Sequence, residues 1–446
     1  MQTESSQTLI VGLGKTGLSC ARYLAAQGES CVVTDTRSEP PGLDELLNEY
    51  PDMPVHLGGF RDDDFSSASR IVLSPGVSLR DKYVRSAVKR GAEVLGDIEL
   101  FACSVKAPVV AITGTNGKST VTTLLAEMAT ASGQKVQAGG NLGLPALELL
   151  DGNDSDLFIL ELSSFQLETT HSLNAVAAVV LNITPDHMDR YDSVEQYSQT
   201  KATVYNGDGV MVINSDDIAV ANMADPQRNT IQFGLSEPGD GEFGLTHEAG
   251  KDYLAFGQQK LLAADELKIP GRHNQSNALA ALALGYAINL DMPAMLETLR
   301  QFKGLEHRSE WVAEKNGVRW FNDSKATNVG ATIAALEGMP GPLILIAGGD
   351  GKSADFSELH DVIANQAREV ILLGRDAQRI EQVIDNAVPV HRAVDMDDAV
   401  KIAMKRVSPG DIVLLSPACA SFDMYSNYME RGDDFARAVR QEVMHG

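Results

Sequence analysis

Lys118, Ser119 and Thr120 close a short glycine-rich run, Gly114-Thr115-Asn116-Gly117-Lys118-Ser119-Thr120. Those residue types in that order suit one chemistry. The glycines let successive backbone N–H groups turn toward an anion. The lysine ammonium reaches terminal phosphates, and the hydroxyl ligates Mg²⁺ at a helix start. The common phosphate loop keeps four residues between its first glycine and the Gly-Lys pair. Here only Thr115 and Asn116 separate Gly114 from Gly117, so the loop is a shortened variant. ATP or GTP with Mg²⁺ is the expected ligand.

Further polar residues stand where apolar runs end. Glu161 follows Asp156–Leu160, where a second Mg²⁺ ligand is needed beside a phosphate-loop strand. Asn141 follows a Gly-Gly turn. The apolar run 175–181 leads into Asn182-Ile183-Thr184-Pro185-Asp186-His187-Met188-Asp189. Asp186 and Asp189 flank His187, a pattern that favours a metal site. Lys201 falls on a helix predicted over 194–205, where most lysines are solvated.

A second anion cradle lies near the start. Leu9-Ile10-Val11 meets Gly12-Leu13-Gly14-Lys15-Thr16-Gly17, a helix is predicted over 18–27, and the strand Cys31–Thr34 ends at Asp35. That is the dinucleotide fingerprint, acidic residue included. A UDP-sugar diphosphate suits the same turn, and a purely structural glycine turn is the plain alternative. With no dehydrogenase constellation elsewhere, NAD is disfavoured and nucleotide-diphosphate binding retained. Ser74 ends the next strand, Arg70–Leu73, at the edge where open α/β sheets bind ligands.

The elements that position these groups follow the same rhythm. Val109–Ile112 reads as a buried strand before the phosphate loop, and Leu124, Leu125 and Met128 put an apolar face on the helix after it. Residues 229–262 read as an antiparallel β-rich portion. Asn274 and Asn277 open an Ala/Leu-rich helix running to Ala287, as caps or as amides that read a base. Later strands at 343–347, 370–373 and 412–415 each end in a Gly- or Ser-rich loop, the signature of a doubly wound sheet. The expected fold is α/β in three domains: residues 1–96 Rossmann-like, 97–303 a P-loop ATPase-type α/β domain with an extra β-portion, and 304–446 Rossmann-like and doubly wound.

Composition limits the partners. A length of 446 suits about three domains. The net charge of −24 argues against nucleic acid and anionic membrane. No apolar run reaches the roughly 18 residues of a membrane span. Met1–Gln7 is polar and lacks a basic region, so no signal peptide is expected. Cys20, Cys31, Cys103 and Cys419 are scattered, which predicts reduced thiols in a cytoplasm and no zinc or disulfide frame.

Taken together, Gly-Thr-Asn-Gly-Lys-Ser, Glu161-Leu162-Ser163-Ser164, Thr184-Pro185-Asp186-His187, His273-Asn274-Gln275-Ser276-Asn277, His307-Arg308 and Asp323-Ser324-Lys325-Ala326-Thr327 resemble the muramyl (Mur) ligase family of ATP-dependent amide-forming ligases. The resemblance covers essentially the whole chain. Gly348-Gly349-Asp350-Gly351-Lys352 and Ser416-Pro417-Ala418-Cys419-Ala420-Ser421 resemble the branch that adds D-glutamate.

The resemblance implies the substrates UDP-N-acetylmuramoyl-L-alanine, D-glutamate and ATP, with Mg²⁺ at two sites. Gly14, Lys15, Thr16, Asp35, Thr36, Arg37, Ser74 and Asn141 would hold the UDP-linked substrate. Residues 114–120 would hold the ATP phosphates, Asn274 and Asn277 the adenine, and Arg308 and Asp323 would complete that site. Ser119, Glu161, His187 and Lys201, if carbamylated, would ligate metal. Lys118, Asn141, His187 and Lys201 would be catalytic, with His187 or Asp186 as acceptor for the amine proton. Lys325, Thr327, Lys352, Ser421 and Tyr428 would hold D-glutamate. A cytoplasmic monomer is expected. Sister ligases would share the phosphate loop and differ in the N-terminal domain and the amino-acid pocket.

Overall fold

The computed structural model describes residues 7–151, 154–269, 271–339 and 341–445. The polar start Met1–Ser6 lies outside them. Two compact units emerge. One runs up to residue 245 and adds 255–259 and 279–298, and the other takes 246–254, 260–278 and everything from 299 on. Among the described residues, no helix is long and apolar enough to cross a membrane.

The first unit is built on two sheets, parallel throughout in the smaller and parallel from Val136–Gly140 to Thr230–Phe233 in the larger. The smaller has the strand order Val55–His56, Cys31–Thr34, Gln7–Val11, Ala68–Leu73, Glu93–Leu95. Its register pairs Val11 with both Thr34 and Leu73, so Gly12, Asp35 and Ser74 leave the sheet side by side. In the larger sheet, Phe243–Glu248, Thr230–Phe233, Val210–Asn214, Ala177–Val180, Val109–Thr113, Leu157–Glu161 and Val136–Gly140 are neighbours in that order. Parallel strands covered on both faces are apolar throughout, and Val109–Thr113 is buried at every position.

The helix Lys118–Ala131 covers that strand with Val121, Leu124, Leu125 and Met128, all fully buried. Each such side chain contributes roughly 1.5–3 kcal/mol by leaving water. Register again collects the functional ends. Ile112 and Gly140 both pair with Glu161, and Thr113 pairs with Val180.

One apolar cluster runs from Ile10 and Leu24 through Phe101 to Phe158 and Val180, joining the two sheets of this unit. Phe101 meets Phe158 edge to face at 5.4 Å. Gly96, the expected first boundary, caps the helix Asp97–Ala102 within this continuous core.

The turn-rich stretch 229–262 does form strands: Thr230–Phe233, Phe243–Glu248, Lys251–Phe256 and Gln259–Ala263. It was expected to be antiparallel. The last three strands fit that expectation: they are sheet neighbours joined by residues 249–250 and 257–258, connections that only antiparallel hairpins allow. The entry differs, since Phe233 and Phe243 pair in parallel after residues 234–242 carry the chain back. Asn274 and Asn277 are not caps. Their helix, Arg272–Ala287, starts before either, and they lie inside its first turns.

The second unit is the expected doubly wound sheet, ordered Glu310–Lys315, Val318–Asn322, Ile412–Leu415, Leu343–Ala347, Ala367–Leu372, Val390–Arg392. Only its first pair is antiparallel. Its two faces are closed by separate apolar clusters, one around Leu345 and Phe356, the other around Trp320 and Phe435.

Gly140 is a tight point of the larger sheet's ligand edge. Its φ is +98°, and an added Cβ would stand 2.6 Å from the Glu161 carbonyl oxygen. Gly140→Ala is expected to destabilise the first unit by roughly 1–3 kcal/mol. Thermal unfolding followed by calorimetry measures this, and an unchanged melting temperature would contradict it.

Candidate active site

The phosphate loop is built around one residue without a side chain. Gly114 has φ +145°, and a Cβ there would lie 2.9 Å from Leu181 Cβ. The loop is braced against the neighbouring strand end. Thr115 N–H donates to Asn182 O at 2.9 Å, Asn116 N–H to Asn182 Oδ1 at 2.8 Å, and Asn182 Nδ2 returns to Asn116 O at 3.1 Å. Gly117, at φ +84°, turns the chain into the helix. Lys118 Nζ lies over the loop, donating to Gly114 O and Thr115 O at 2.8 Å each. Ser119 and Thr120 are buried at the helix start.

Lys201 departs from the bland expectation of a solvated helix lysine. It is 1% exposed. Its Nζ donates to Gly114 O at 2.9 Å and Thr113 Oγ1 at 3.3 Å, and lies 4.7 Å from the centre of the Tyr197 ring. Burial, reinforced by the charge of Lys118, holds its ammonium well below the usual lysine range. Its amine is enclosed behind the phosphate loop.

Glu161 and Asn141 complete the wall. Asn141 Nδ2 donates to Glu161 Oε1 at 2.7 Å, while Glu161 Oε2 is buried and has no hydrogen-bond partner among the described residues. His187, at φ +56°, packs its ring against Phe165 at 4.7 Å, with Nε2 3.7 Å from Asp186 Oδ2. The expected Asp186–His187–Asp189 metal cluster does not form. Asp189 is exposed, and among the described residues no three His, Cys, Asp or Glu side chains converge on a cation. The left-handed turn at His187 carries the chain away before Asp189 can join.

The glycine turn opens into a cavity of about 520 Å³. Gly14, Lys15, Thr16, Asp35, Thr36, Arg37 and Ser74 line it from the smaller sheet, and Asn141 and Gln166 from the larger. Gly17 packs directly on the turn, since a Cβ there would sit 1.9 Å from Gly12 O. Asp35 was expected to offer free acceptors to a ligand. Its oxygens instead accept from Leu13 N–H at 2.7 Å and from Arg37 N–H, Nε and Nη2 at 2.7–2.9 Å. Burial pushes this carboxyl up, but the Arg37 and Leu13 bonds outweigh it and hold it below its ordinary value. Asp35 therefore shapes the turn and aims Arg37.

In the second unit, Asn277 Nδ2 donates to Asn274 Oδ1 at 3.2 Å, both residues being buried. Asp323 accepts from Ser416 Oγ at 2.9 Å and Ser309 N–H at 3.0 Å. Burial nevertheless pushes its carboxyl up to about 7, against the pull of those bonds and of Arg308. Lys325 Nζ stands 3.8 Å from the centre of the Tyr428 ring. Thr327 is half-buried, Ser421 buried, and Lys352 exposed at φ +48°.

Sequence reasoning missed Arg431. Its buried guanidinium donates to Ser324 Oγ, Ser324 O and Cys419 O, joining the segments that carry Lys325 and Ser421. The only signal was an arginine on the apolar side of a helix, beside Gly432.

The comparisons agree along the chain. The Mur ligase MurD-like N-terminal domain matches residues 6–96, the Mur ligase middle domain 112–285, and the Mur ligase glutamate ligase domain 307–419. The chain belongs to the Mur ligase family. It is 55% identical over 439 residues to the UDP-N-acetylmuramoylalanine–D-glutamate ligase of Nitrosococcus oceani, covering 98% of this chain and 97% of that one. The Marinobacter nauticus protein of the same name is 50% identical over 436 residues, 97% and 98% of the two chains. Among solved structures, the UDP-N-acetylmuramate-alanine ligase of Thermotoga maritima superposes with a TM-score of 0.61 over 98% of this chain and 99% of that one. At 17% identity, that likeness speaks for the fold.

Asp323 generates a pH prediction. Its carboxyl is protonated below about pH 7 and ionised above it. Infrared titration should show a protonated-carboxyl band lost near that pH and absent from Asp323→Asn. Loss of the band in the ordinary carboxylate range, about 4, would contradict the assignment.

Proposed function

We propose that this chain is the ATP-dependent ligase that joins D-glutamate to UDP-N-acetylmuramoyl-L-alanine, a step in peptidoglycan precursor synthesis. The observation that carries the reading is Asn141. It lines the glycine-turn cavity and donates to Glu161 beside the phosphate loop, so one side chain spans a diphosphate cradle and a phosphoryl-transfer wall. A dehydrogenase has no use for that wall.

The division of labour follows three sequence segments: 1–96 for the UDP-linked substrate, 97–303 for ATP, and 304–446 for the amino acid. Gly14, Lys15, Thr16, Thr36, Arg37, Ser74 and Asn141 hold the UDP-linked substrate, with Asp35 fixing Arg37. Asn274 and Asn277 read adenine, and Arg308 and Asp323 serve the nucleotide. Lys325, Thr327, Lys352, Ser421 and Tyr428 take D-glutamate, two ammonium groups matching its two carboxylates. A monomer working in the cytoplasm completes the reading.

The chemistry asks for positive charge. A carboxylate is a poor electrophile and repels a triphosphate. Phosphoryl transfer to the L-alanine carboxylate releases ADP and gives an acyl phosphate. The D-glutamate amine then adds to its carbonyl carbon, and phosphate leaves as the amide forms. Lys118 neutralises the transferring phosphoryl oxygens. His187 or Asp186 takes the proton the amine loses.

The donor set fits Mg²⁺, since Glu161 keeps a buried carboxylate oxygen without a partner beside the Ser119 hydroxyl's helix. Ser119 and Glu161 would hold one ion, and His187 with a Lys201 carbamate a second. The metal supplies charge between carboxylate and triphosphate. An enclosed amine whose ammonium is held below the usual lysine range suits the carbamate: the unprotonated form adds its lone pair to CO₂, and the lost proton goes to solvent.

Phosphate release measured with UDP-N-acetylmuramoyl-L-alanine and a panel of amino acids tests the function. Turnover should require D-glutamate, and turnover with another amino acid alone would overturn the assignment. Lys118→Ala should slow ADP release by about 10²–10³-fold, and an undiminished rate would remove the phosphate loop from the mechanism. Lys201→Ala should lose activity and recover part of it with a short carboxylic acid. Intact-mass spectrometry of the native protein should find a CO₂ adduct. An unmodified lysine together with no rescue would exclude the carbamate.

A further inference from the structure

Arg190 is nearly enclosed, its side chain 10% exposed. It follows the His187 turn, and its guanidinium binds two other segments at once, 75–77 and 165–168. Nε and Nη2 donate to the Glu168 carboxylate at 3.1 and 2.6 Å. Nη1 donates to Pro75 O at 2.7 Å and Nη2 to Val77 O at 3.2 Å. Its flat face lies 4.1 Å from the centre of the Phe165 ring, and the same ring meets His187 at 4.7 Å.

Each contact touches the proposed reaction path. Ser74–Val77 lines the glycine-turn cavity, and Ser74 Oγ donates to Gly12 O at 2.9 Å, tying this loop to the turn. Phe165 supports the His187 ring. The smaller sheet, which cradles the diphosphate, is thus joined to the larger sheet's catalytic edge through one planar cation. The geometry points to Arg190 as a positioning residue: it keeps the Ser74–Val77 wall in register with His187, so that a substrate anchored by its UDP end delivers its carboxylate to the phosphoryl-transfer wall.

This inference rests on the ligase reading. Arginine is required because its donors form a rigid fork and its plane stacks on a ring. A lysine ammonium cannot serve a carboxylate and two carbonyls while lying flat on Phe165.

Arg190→Lys and Glu168→Gln test it in the full-length enzyme. Arg190→Lys should raise KM for the UDP-linked substrate about tenfold or more, with KM for ATP changed less than about twofold. Glu168→Gln should move the same constant in the same direction by less. Because Arg190 acts through the loop, Arg190→Lys and Ser74→Ala should be non-additive in that KM. An unchanged KM for the UDP-linked substrate, an equal rise in both KM values, or strict additivity would overturn the proposal. Calorimetric binding of the UDP-linked substrate separates this from the parent reading. Weaker binding by Arg190→Lys than by the native enzyme supports the positioning role, and equal binding overturns it. A native enzyme that binds the substrate but turns over with no amino acid overturns the ligase reading instead.

Discussion

Two lysines share one carbonyl oxygen. Gly114 O accepts from Lys118 Nζ at 2.8 Å and from Lys201 Nζ at 2.9 Å, and the rest of the first unit's ligand edge is arranged around that meeting. The charge of Lys118 disfavours the Lys201 ammonium, while Asp186 and Glu161 favour it. Lys118 is only half-buried over the loop. Lys201, enclosed by Tyr197 and the Thr113 strand end, is the one whose ammonium is held well below the usual lysine range by burial. Gly114 permits this only because nothing but hydrogen occupies the space against Leu181.

The same constraint explains the packing around it. A loop carrying this much backbone polarity needs its N–H groups directed, and Asn182 does so from the next strand with both ends of its amide. Tyr197 Oη and Thr184 bond to Thr115 Oγ1, joining the loop to the helix that bears Lys201. Asn141 and Arg190 then extend the edge to the glycine turn, one through Glu161 and the other through the Ser74–Val77 loop. The smaller sheet is not a separate appendage in this unit. It shares a continuous apolar core with the larger one, running through Phe101 and Phe158.

Some of this was legible in residue order. The two glycine turns, the buried strands before them and the doubly wound C-terminal sheet follow from apolar periodicity and from glycine at positions of positive φ. The burial of Lys201 was not legible from its helix, since a nine-residue segment of polar composition gives no sign of which side faces a phosphate loop. Asp189 looked as eligible as Asp186 because adjacency in sequence does not report a left-handed turn at His187. Arg190 and Arg431 were invisible because every partner lies on a segment distant in the chain.

The sequence by itself determined which groups were available and where strands would release them, because backbone conformation and strand burial are local properties of residue type. The tertiary structure alone decided which of those groups meet. Parallel register placed Glu161 beside Gly140 and Ile112. Folding the two sheets onto one core brought Asn141 to the glycine-turn cavity. Charge state was decided there as well. Desolvation lowered the pKa of Lys201 and raised that of Asp323, whereas the Arg37 fork lowered that of Asp35. These outcomes depend on through-space distances and excluded water, which only the assembled fold defines.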